Sequence, residues 1–176
     1  MSRAVLSIGS NVGDSLGYLR SVVRALGVRL ESSSGVYRTA PWGGVEQQPF
    51  LNAVLIASDD SLDGYGWLRF GQSCEQAAER TRDVRWGPRT LDVDVIAVYS
   101  PDLTRPTGEP PMVLQSDPEL TLPHPRAFER AFVLAPWHEV APDAQLPQGP
   151  VADLLAGLQA SGAADQAAER LDQVAL

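Results

Sequence analysis

Three short apolar segments, each ended by glycine, proline or polar residues, limit what this chain can fold into. Residues 4–8 read AVLSI, residues 50–57 read FLNAVLIA and residues 91–99 read LDVDVIAVY. Segments of this length suit strands, because helices usually need about ten residues or more. Between the first two, leucines and valines at helical spacing follow a cap at Asp14 or Ser15 and stop at Gly27, which predicts an amphipathic helix.

Further helices are predicted over about 62–80, around Arg126–Arg130 and over Val151–Leu158, while the segment from Ala163 on is either helical or loosely attached. Strands and helices without strict alternation predict an α+β fold, with a largely antiparallel sheet and helices on its faces. A chain of 176 residues, 44% of them hydrophobic, suits one domain spanning residues 1–176.

Charge and cysteine content exclude several classes of protein. A net charge of −8 argues against general nucleic-acid binding. No run of about eighteen apolar residues predicts a membrane span, and the first residues do not resemble a signal peptide. The single cysteine, Cys74, rules out an internal disulfide framework and fits a reducing compartment, so a cytoplasmic protein is expected.

The sharpest local signal for chemistry is the pair Asp92 and Asp94. In a strand, residues two apart point to the same face, so both carboxylates would project together while Val93 and Val95 point into the core. Two ionised carboxylates this close repel, and a divalent cation would relieve that repulsion. A small set of oxygen ligands favours Mg²⁺. The alternative is a charged pair on an exposed edge strand.

An arginine cluster immediately precedes this pair. All fourteen basic residues of the chain are arginine, and four of them lie within ten residues: Arg80, Arg82, Arg85 and Arg89. Arginine binds phosphate with two parallel hydrogen bonds and is always charged. Carboxylates for Mg²⁺ beside arginines for polyphosphate indicate phosphoryl transfer. The alternative is a solvated loop whose arginines pair with Glu79 and Asp83. No Gly-Lys-Ser/Thr phosphate loop is present.

A second candidate anion site surrounds His124. This histidine lies between Pro123 and Pro125, which stiffen the backbone on both sides. Arg126 and Arg130 follow at helical spacing, so a phosphate site is predicted here. The alternative is a structural histidine.

The chain resembles the 6-hydroxymethyl-7,8-dihydropterin pyrophosphokinase family of folate biosynthesis. The matching blocks run in family order from residue 5 to about residue 142, and they are Ile8-Gly9-Ser10-Asn11, Tyr37-Arg38-Thr39-Ala40-Pro41, Phe50-Leu51-Asn52-Ala53, the run from Arg85 to Asp94, Leu122-Pro123-His124-Pro125 and Arg130-Ala131-Phe132-Val133-Leu134. The block from Arg85 to Asp94 is the most specific of them.

This resemblance implies a three-layer α/β/α fold of ferredoxin-like type and an activity. The enzyme would transfer diphosphate from ATP to the hydroxymethyl group of 6-hydroxymethyl-7,8-dihydropterin and release AMP, with two Mg²⁺ ions as cofactors. Its partners would be these two substrates, and no binding to nucleic acid or membranes is expected. The resemblance is also compatible with a monomer.

The resemblance also implies roles for individual residues. The metal ligands would be Asp92 and Asp94. Contacts to the pterin would come from Thr39, Trp42, Phe50, Asn52, Asp92 and Phe132. Contacts to ATP would come from Glu75, Arg80, Arg82, Arg89, His124 and Arg130. The catalytic groups would be Arg82, Arg89 and Asp94.

The sequence departs from the family pattern in three places, and two other functions are alternatives. The loop between Arg80 and Trp86 is short, residues 100–118 are long and rich in proline, and Glu119 stands where some members carry a basic residue. A metal-dependent nuclease or nucleotidyltransferase could use Asp92 and Asp94, but it would need a third carboxylate and a basic surface. A non-catalytic pterin- or nucleotide-binding protein would be expected to lack one of the two carboxylates.

Overall fold

The computed structural model describes residues 1–41, 47–78, 90–101 and 110–176. Its strands are β1 (Ser2–Ser10), β2 (Leu30–Ser33), β3 (Tyr37–Thr39), β4 (Phe50–Asp59), β5 (Asp92–Tyr99), β6 (Gln115–Ser116), β7 (Thr121–Leu122), β8 (Gln145–Leu146), β9 (Gly149–Pro150) and β10 (Ala168–Arg170). Its helices are α1 (Ser15–Leu26), α2 (Gly64–Ala77), α3 (Ala131–Val140) and α4 (Val151–Ser161). Short 3-10 turns cover Gly27–Arg29, Ala127–Glu129 and Ala164–Gln166.

The main sheet has the strand order β10-β3-β4-β1-β5, and every neighbouring pair is antiparallel. The long strand β4 carries two neighbours along one edge: β3 pairs with Phe50–Asn52, and β2 pairs with Leu55–Ala57. The prediction of a mixed fold with an antiparallel sheet is therefore confirmed. Among the described residues, no helix is long and apolar enough to cross a membrane.

The apolar core is divided into two clusters, which draw on alternate residues of β1 and β4 and, apart from an irregularity at Ile96 and Ala97, of β5. The first cluster combines α1 and α2 with the strand residues Ala4, Leu6, Ile8, Ala53, Leu55, Ala57, Val93, Val95 and Val98. The second cluster combines α3 and α4 with Val5, Val54, Ile56, Ile96 and Ala97. Because successive strand residues point to opposite faces, the two clusters lie on opposite sides of the sheet.

The prediction for α1 is confirmed by its two ends. The Asp14 side chain accepts a hydrogen bond from the Gly17 N–H at 3.0 Å, which satisfies a donor of the first turn. Gly27 ends the helix with a φ of 54°, a left-handed value that glycine adopts without a steric penalty.

The helix predicted around Arg126–Arg130 is wrong. Only a 3-10 turn forms at Ala127–Glu129, and Arg130 is extended, with φ −119° and ψ 102°. The α-helix starts one residue later, at Ala131, and it contains Pro136. Arg126 and Arg130 therefore do not share one α-helix, and Arg126 pairs with Glu129 at 2.5 Å.

The segment after Ala163 is not loosely attached, and its only helical part among the described residues is the 3-10 turn Ala164–Gln166. Its residues 168–170 form β10, which pairs with β3 at the edge of the main sheet. Leu171, Val174 and Leu176 then pack against the first cluster. The strand is only three residues long, so its sequence carries too little periodicity to predict it.

Gly71 lets α2 approach β5 closely. A Cβ built on Gly71 would lie 3.0 Å from Val93 Cγ1 and 3.2 Å from the Val93 carbonyl oxygen, closer than ordinary van der Waals contact. Gly157 in α4 is the matched contrast, because a Cβ there would meet no atom within 4 Å among the described residues.

We expect Gly71→Ala and Gly157→Ala to change the free energy of unfolding in opposite directions. Gly157→Ala should stabilise by roughly 0.5–1 kcal/mol, the gain in helix propensity. Gly71→Ala has the same gain but crowds the strand backbone, which costs about 1–3 kcal/mol, so a net loss is expected. Urea denaturation of both variants measures this, and a stabilised Gly71→Ala would contradict the tight contact.

Candidate active site

Four strand ends meet at one end of the main sheet. β1 and β3 finish there, and β4 and β5 begin there, at Phe50 and Asp92. Gly9 near the end of β1 is paired with Asn52 on one side and with Asp92 on the other. A Cβ on Gly9 would lie 2.5 Å from Asn52 Oδ1, so only glycine lets the Asn52 side chain lie across β1.

Asn52 and Thr39 form a buried polar pair at this end. Asn52 Nδ2 donates a hydrogen bond of 2.5 Å to Thr39 Oγ1, and both side chains are almost fully buried. Phe50 is paired with Thr39 across the strands. Its ring is half-buried and belongs to neither of the clusters formed by the described residues. Phe50, Thr39 and Asn52 therefore line one corner of the site.

Asp92 and Asp94 project together, as their spacing predicts. Along β5 both are half-buried, whereas Val93 and Val95 are buried in the first cluster. Asp94 is paired with Ser7, which is paired in turn with Val54 of the second cluster. The two carboxylates thus lie on the α3 side of the sheet.

Arg130 places a buried positive charge beside Asp94. Its Nη1 lies 3.9 Å from Asp94 Oδ2, which is an ion pair too long for a direct hydrogen bond. The Arg130 side chain is only 10% exposed, against 33% for Asp94. Burial lowers the pKa of the Arg130 guanidinium, and the Asp94 charge opposes that shift. The carboxylate pair is therefore partly compensated within the protein.

Phe132 lies under the same guanidinium. Arg130 Cζ is 5.5 Å from the centre of the Phe132 ring, a cation–π contact. Phe132 is partly buried against the second cluster, at the second position of α3. The start of α3 thus brings one aromatic and one cationic side chain to the carboxylates.

His124 is held beside this group by its backbone. Its N–H donates to the Ile96 carbonyl at 2.7 Å, and its Nδ1 accepts from the Arg126 N–H at 3.2 Å. Because Nδ1 is an acceptor, the proton of a neutral ring lies on Nε2. Burial, and then the charge of Arg130, lower the His124 pKa to about 4, while Asp92 opposes the shift.

Glu75 reaches the site from the opposite face. This residue of α2 is 6% exposed, and its Oε1 accepts a 2.9 Å hydrogen bond from the N–H of Val93, the residue between the two aspartates. The contact holds the start of β5, and the expected contact of Glu75 with ATP stays a prediction. The sequence carries no sign of this strand contact.

A second feature missed by sequence reasoning is a link between two loops. Asn11 Nδ2 donates to Gln47 Oε1 and to the Gln48 carbonyl, both at 3.0 Å. The chain leaving β1 is therefore tied to the chain entering β4. Only the place of Asn11 in a family-like block could have drawn attention to it.

Several predicted site residues cannot be placed. Trp42, Arg80, Arg82 and Arg89 lie outside the described residues. Within the described ranges, no group of three or more His, Cys, Asp or Glu side chains could hold a metal ion. The donor set at the site is the pair Asp92 and Asp94, which fits Mg²⁺, because this ion often uses only one or two carboxylates and takes its other ligands from water and phosphate.

The chain matches known proteins over most of its length. The model of the 7,8-dihydro-6-hydroxymethylpterin-pyrophosphokinase (HPPK) family matches residues 5–142. The 2-amino-4-hydroxy-6-hydroxymethyldihydropteridine pyrophosphokinase of Mycobacterium bovis is 52% identical over 90% of this chain and 85% of its own. The enzyme of the same name from Methylorubrum extorquens is 41% identical over 92% of this chain and 97% of its own.

The fold is also found among solved structures. The wild-type Plasmodium falciparum HPPK-DHPS structure with SDX-DHP superposes with a TM-score of 0.65 at 11% sequence identity, over 97% of this chain. This chain spans about half of the HPPK-DHPS chain, 47% of its length. At this identity the likeness concerns the fold alone. The family match and the identities to the bacterial relatives decide the assignment: the chain belongs to the 7,8-dihydro-6-hydroxymethylpterin-pyrophosphokinase family.

Proposed function

We propose that this pyrophosphokinase transfers diphosphate from ATP to the hydroxymethyl group of 6-hydroxymethyl-7,8-dihydropterin, as a step of folate biosynthesis. The observation that carries the proposal is the meeting of Asp92 and Asp94 with Arg130 and Phe132 at one end of the sheet, in a chain of this family. Carboxylates, a buried guanidinium and an aromatic ring are the groups that a phosphate donor and a flat heterocyclic acceptor require.

The ATP side of the site is assigned to Arg130 and His124. Arg130 holds a positive charge in a largely buried position, where it interacts more strongly with phosphate than it would in water. His124 presents Nε2–H as a donor, because its Nδ1 is already bonded to the Arg126 N–H. Arg80, Arg82 and Arg89 are expected to add further phosphate contacts, with Arg82 and Arg89 acting on the transition state.

Asp92 and Asp94 would hold Mg²⁺, and two ions are expected. When bound, the metal neutralises charge on the phosphates and helps to align them. Arg130 already offsets part of the negative charge of Asp94, so the repulsion between the two carboxylates is partly relieved before a cation binds.

The pterin side of the site is assigned to Asn52, Thr39, Phe50 and Phe132. Asn52 is held by its bond to Thr39, which leaves its remaining amide groups to read the edge of a heterocycle. Phe50 and Phe132 would stack on the two faces of the ring, and Trp42 and Asp92 would complete the pocket. Phe132 adjoins Arg130, which puts the pterin beside the phosphates.

The reaction requires an in-line displacement. The hydroxyl oxygen of the pterin attacks the β-phosphorus of ATP, the bond from that phosphorus to the α-phosphate oxygen breaks, and AMP leaves. The hydroxyl proton is lost in the same step, and Asp94 is the carboxylate expected to accept it. Holding both substrates in this geometry can supply roughly 7–11 kcal/mol of the barrier reduction.

The remaining parts of the proposal concern architecture and location. The division of the core into two clusters, with two helices in each, supports a three-layer, ferredoxin-like single domain. The buried, unpaired thiol of Cys74 supports a reducing compartment such as the cytoplasm.

The direct test of the proposed activity is an AMP-release assay in which ATP and Mg²⁺ are supplied with or without the pterin alcohol. AMP release that does not depend on the pterin would contradict the proposal.

We expect Asp92→Asn and Asp94→Asn to lower pterin-dependent AMP release by about 10²–10³-fold or more, because each removes a charged ligand of the Mg²⁺ that would neutralise the phosphates. The fold should persist, since both side chains are half-buried at a strand start. Steady-state kinetics at saturating Mg²⁺ measure the effect, and Asp143→Asn, in an exposed turn, is the control. Near-normal rates in both site variants would refute the metal assignment.

Phe50→Ala should lose affinity more than stability. Removing a stacking ring that lies outside the core should lower the free energy of unfolding by less than the roughly 3–5 kcal/mol that removal of a core phenylalanine costs. The pterin dissociation constant should rise about tenfold. Calorimetry and thermal melts separate these effects. Phe70→Ala is the matched control, because Phe70 packs edge-on against Trp67 at 6.1 Å in the first cluster. Phe70→Ala should lose stability and keep its affinity.

The depressed pKa of His124 predicts a pH dependence of stability. With a pKa of about 4 when folded and about 6.5 when unfolded, the ring binds more protons in the unfolded state between these values. The contribution of the His124 ring to the free energy of unfolding is therefore fully present above pH 6.5, and it is lost as the pH falls towards 4. Between pH 7 and pH 5, the unchanged chain should lose about 1–2 kcal/mol more than His124→Gln does. Equal losses in urea denaturation would contradict a neutral, buried ring.

A further inference from the structure

Residues 164–176, named here the C-terminal strap, lie beyond the part of the chain that matches the family model, which ends at residue 142. The strap nevertheless runs along the elements that form the site. β10 pairs with β3, placing Ala168 opposite Thr39. The Leu171 N–H then donates to the Val36 carbonyl at 2.8 Å, and Arg20 donates to the Ala175 carbonyl at 2.8 Å.

One side chain of the strap reaches the start of α3. The N–H groups of the first helical turn have no partner within their own helix. Arg130, the residue that precedes α3, cannot accept a hydrogen bond from them, because a guanidinium carries only donors. The N–H of Ala131 instead donates to Gln166 Oε1 at 3.0 Å. A residue 35 positions along the chain thus caps α3.

The capped residue stands between two residues of the site. Ala131 separates Arg130, whose Nη1 lies 3.9 Å from Asp94 Oδ2, from Phe132, whose ring lies 5.5 Å from Arg130 Cζ. A hydrogen bond to the Ala131 N–H restrains the peptide that joins Arg130 to α3. The direction of both side chains depends on that peptide, because Arg130 is extended and Phe132 is helical.

The strap also contacts α3 near its C-terminal end. Arg170 of β10 donates to Glu139 at 3.1 Å, and the same carboxylate accepts from the Tyr37 hydroxyl at 2.7 Å and from the Gly35 N–H at 3.0 Å. Glu139 therefore ties α3 to β3 and to the strap at once. This anchoring gives the Gln166 cap a fixed backbone from which to act.

The geometry points to Gln166 as a positioning residue of the pterin and phosphate site: it holds the first turn of α3 so that Arg130 lies beside Asp94 and Phe132 lies against Arg130. This inference rests on the proposed function for the identity of the ligand. Gln166 itself acts through Ala131, and Arg170 and Glu139 supply the support.

The test compares three variants of the full chain. Gln166→Ala removes the acceptor, Gln166→Glu keeps an acceptor oxygen, and Gln173→Ala changes an exposed glutamine of the same strap. The dissociation constant of 6-hydroxymethyl-7,8-dihydropterin is measured by calorimetry, and amide hydrogen exchange is followed at Ala131–Leu134. Gln166→Ala should weaken pterin binding by about three- to tenfold and speed exchange in that turn, whereas the other two variants should resemble the unchanged chain.

Each result decides between two readings. Unchanged affinity and exchange in a folded Gln166→Ala protein would overturn the inference. So would a Gln166→Glu protein as weak as Gln166→Ala, or equal weakening by Gln173→Ala, because the effect would then belong to general loosening of the strap. Failure of the unchanged chain to bind the pterin or release AMP would instead overturn the proposed function. Hydrogen exchange in the variant would still report whether Gln166 holds α3.

Discussion

Gly9 is opposite Asn52 in one neighbouring strand and opposite Asp92 in the other, and the site depends on this pairing. The side chains of a strand alternate between the two faces of a sheet. A shift of one residue in β5 would therefore turn Asp92 and Asp94 towards the apolar cluster that holds α1 and α2. The apolar residues on both faces of the central strands make such a shift costly. The packing that forms the core therefore also orients the two carboxylates towards α3.

The second determinant is electrostatic. A buried guanidinium is unfavourable unless charges or dipoles compensate for its lost hydration, and Asp94 is close enough to Arg130 to do so. The pair lies at 3.9 Å and Asp94 stays partly exposed, so a cation can approach the carboxylate while a phosphate approaches the guanidinium. If the proposed site is correct, these opposite charges would be in place before either substrate binds.

The parts of this structure that sequence could predict are those governed by neighbouring residues. The common face of Asp92 and Asp94 follows from strand alternation, and the ends of α1 follow from the capping chemistry of Asp14 and Gly27. The helix predicted around Arg126–Arg130 is wrong because no neighbouring residue signals that the backbone of Arg130 is extended. Contacts between distant segments, such as Gln166 with Ala131, depend on the completed fold. No window of sequence contains both partners.

β10 has a consequence for how the molecules behave at high concentration. A long, apolar strand at the edge of a sheet offers unpaired backbone groups to other molecules and promotes aggregation. Here the outer strand has only three residues, and Glu169 faces Arg38 across the pair at 2.5 Å. Short length and charge both discourage an incoming strand. Deleting the strap would uncover β3, so a truncated protein should be more prone to self-association than the intact one.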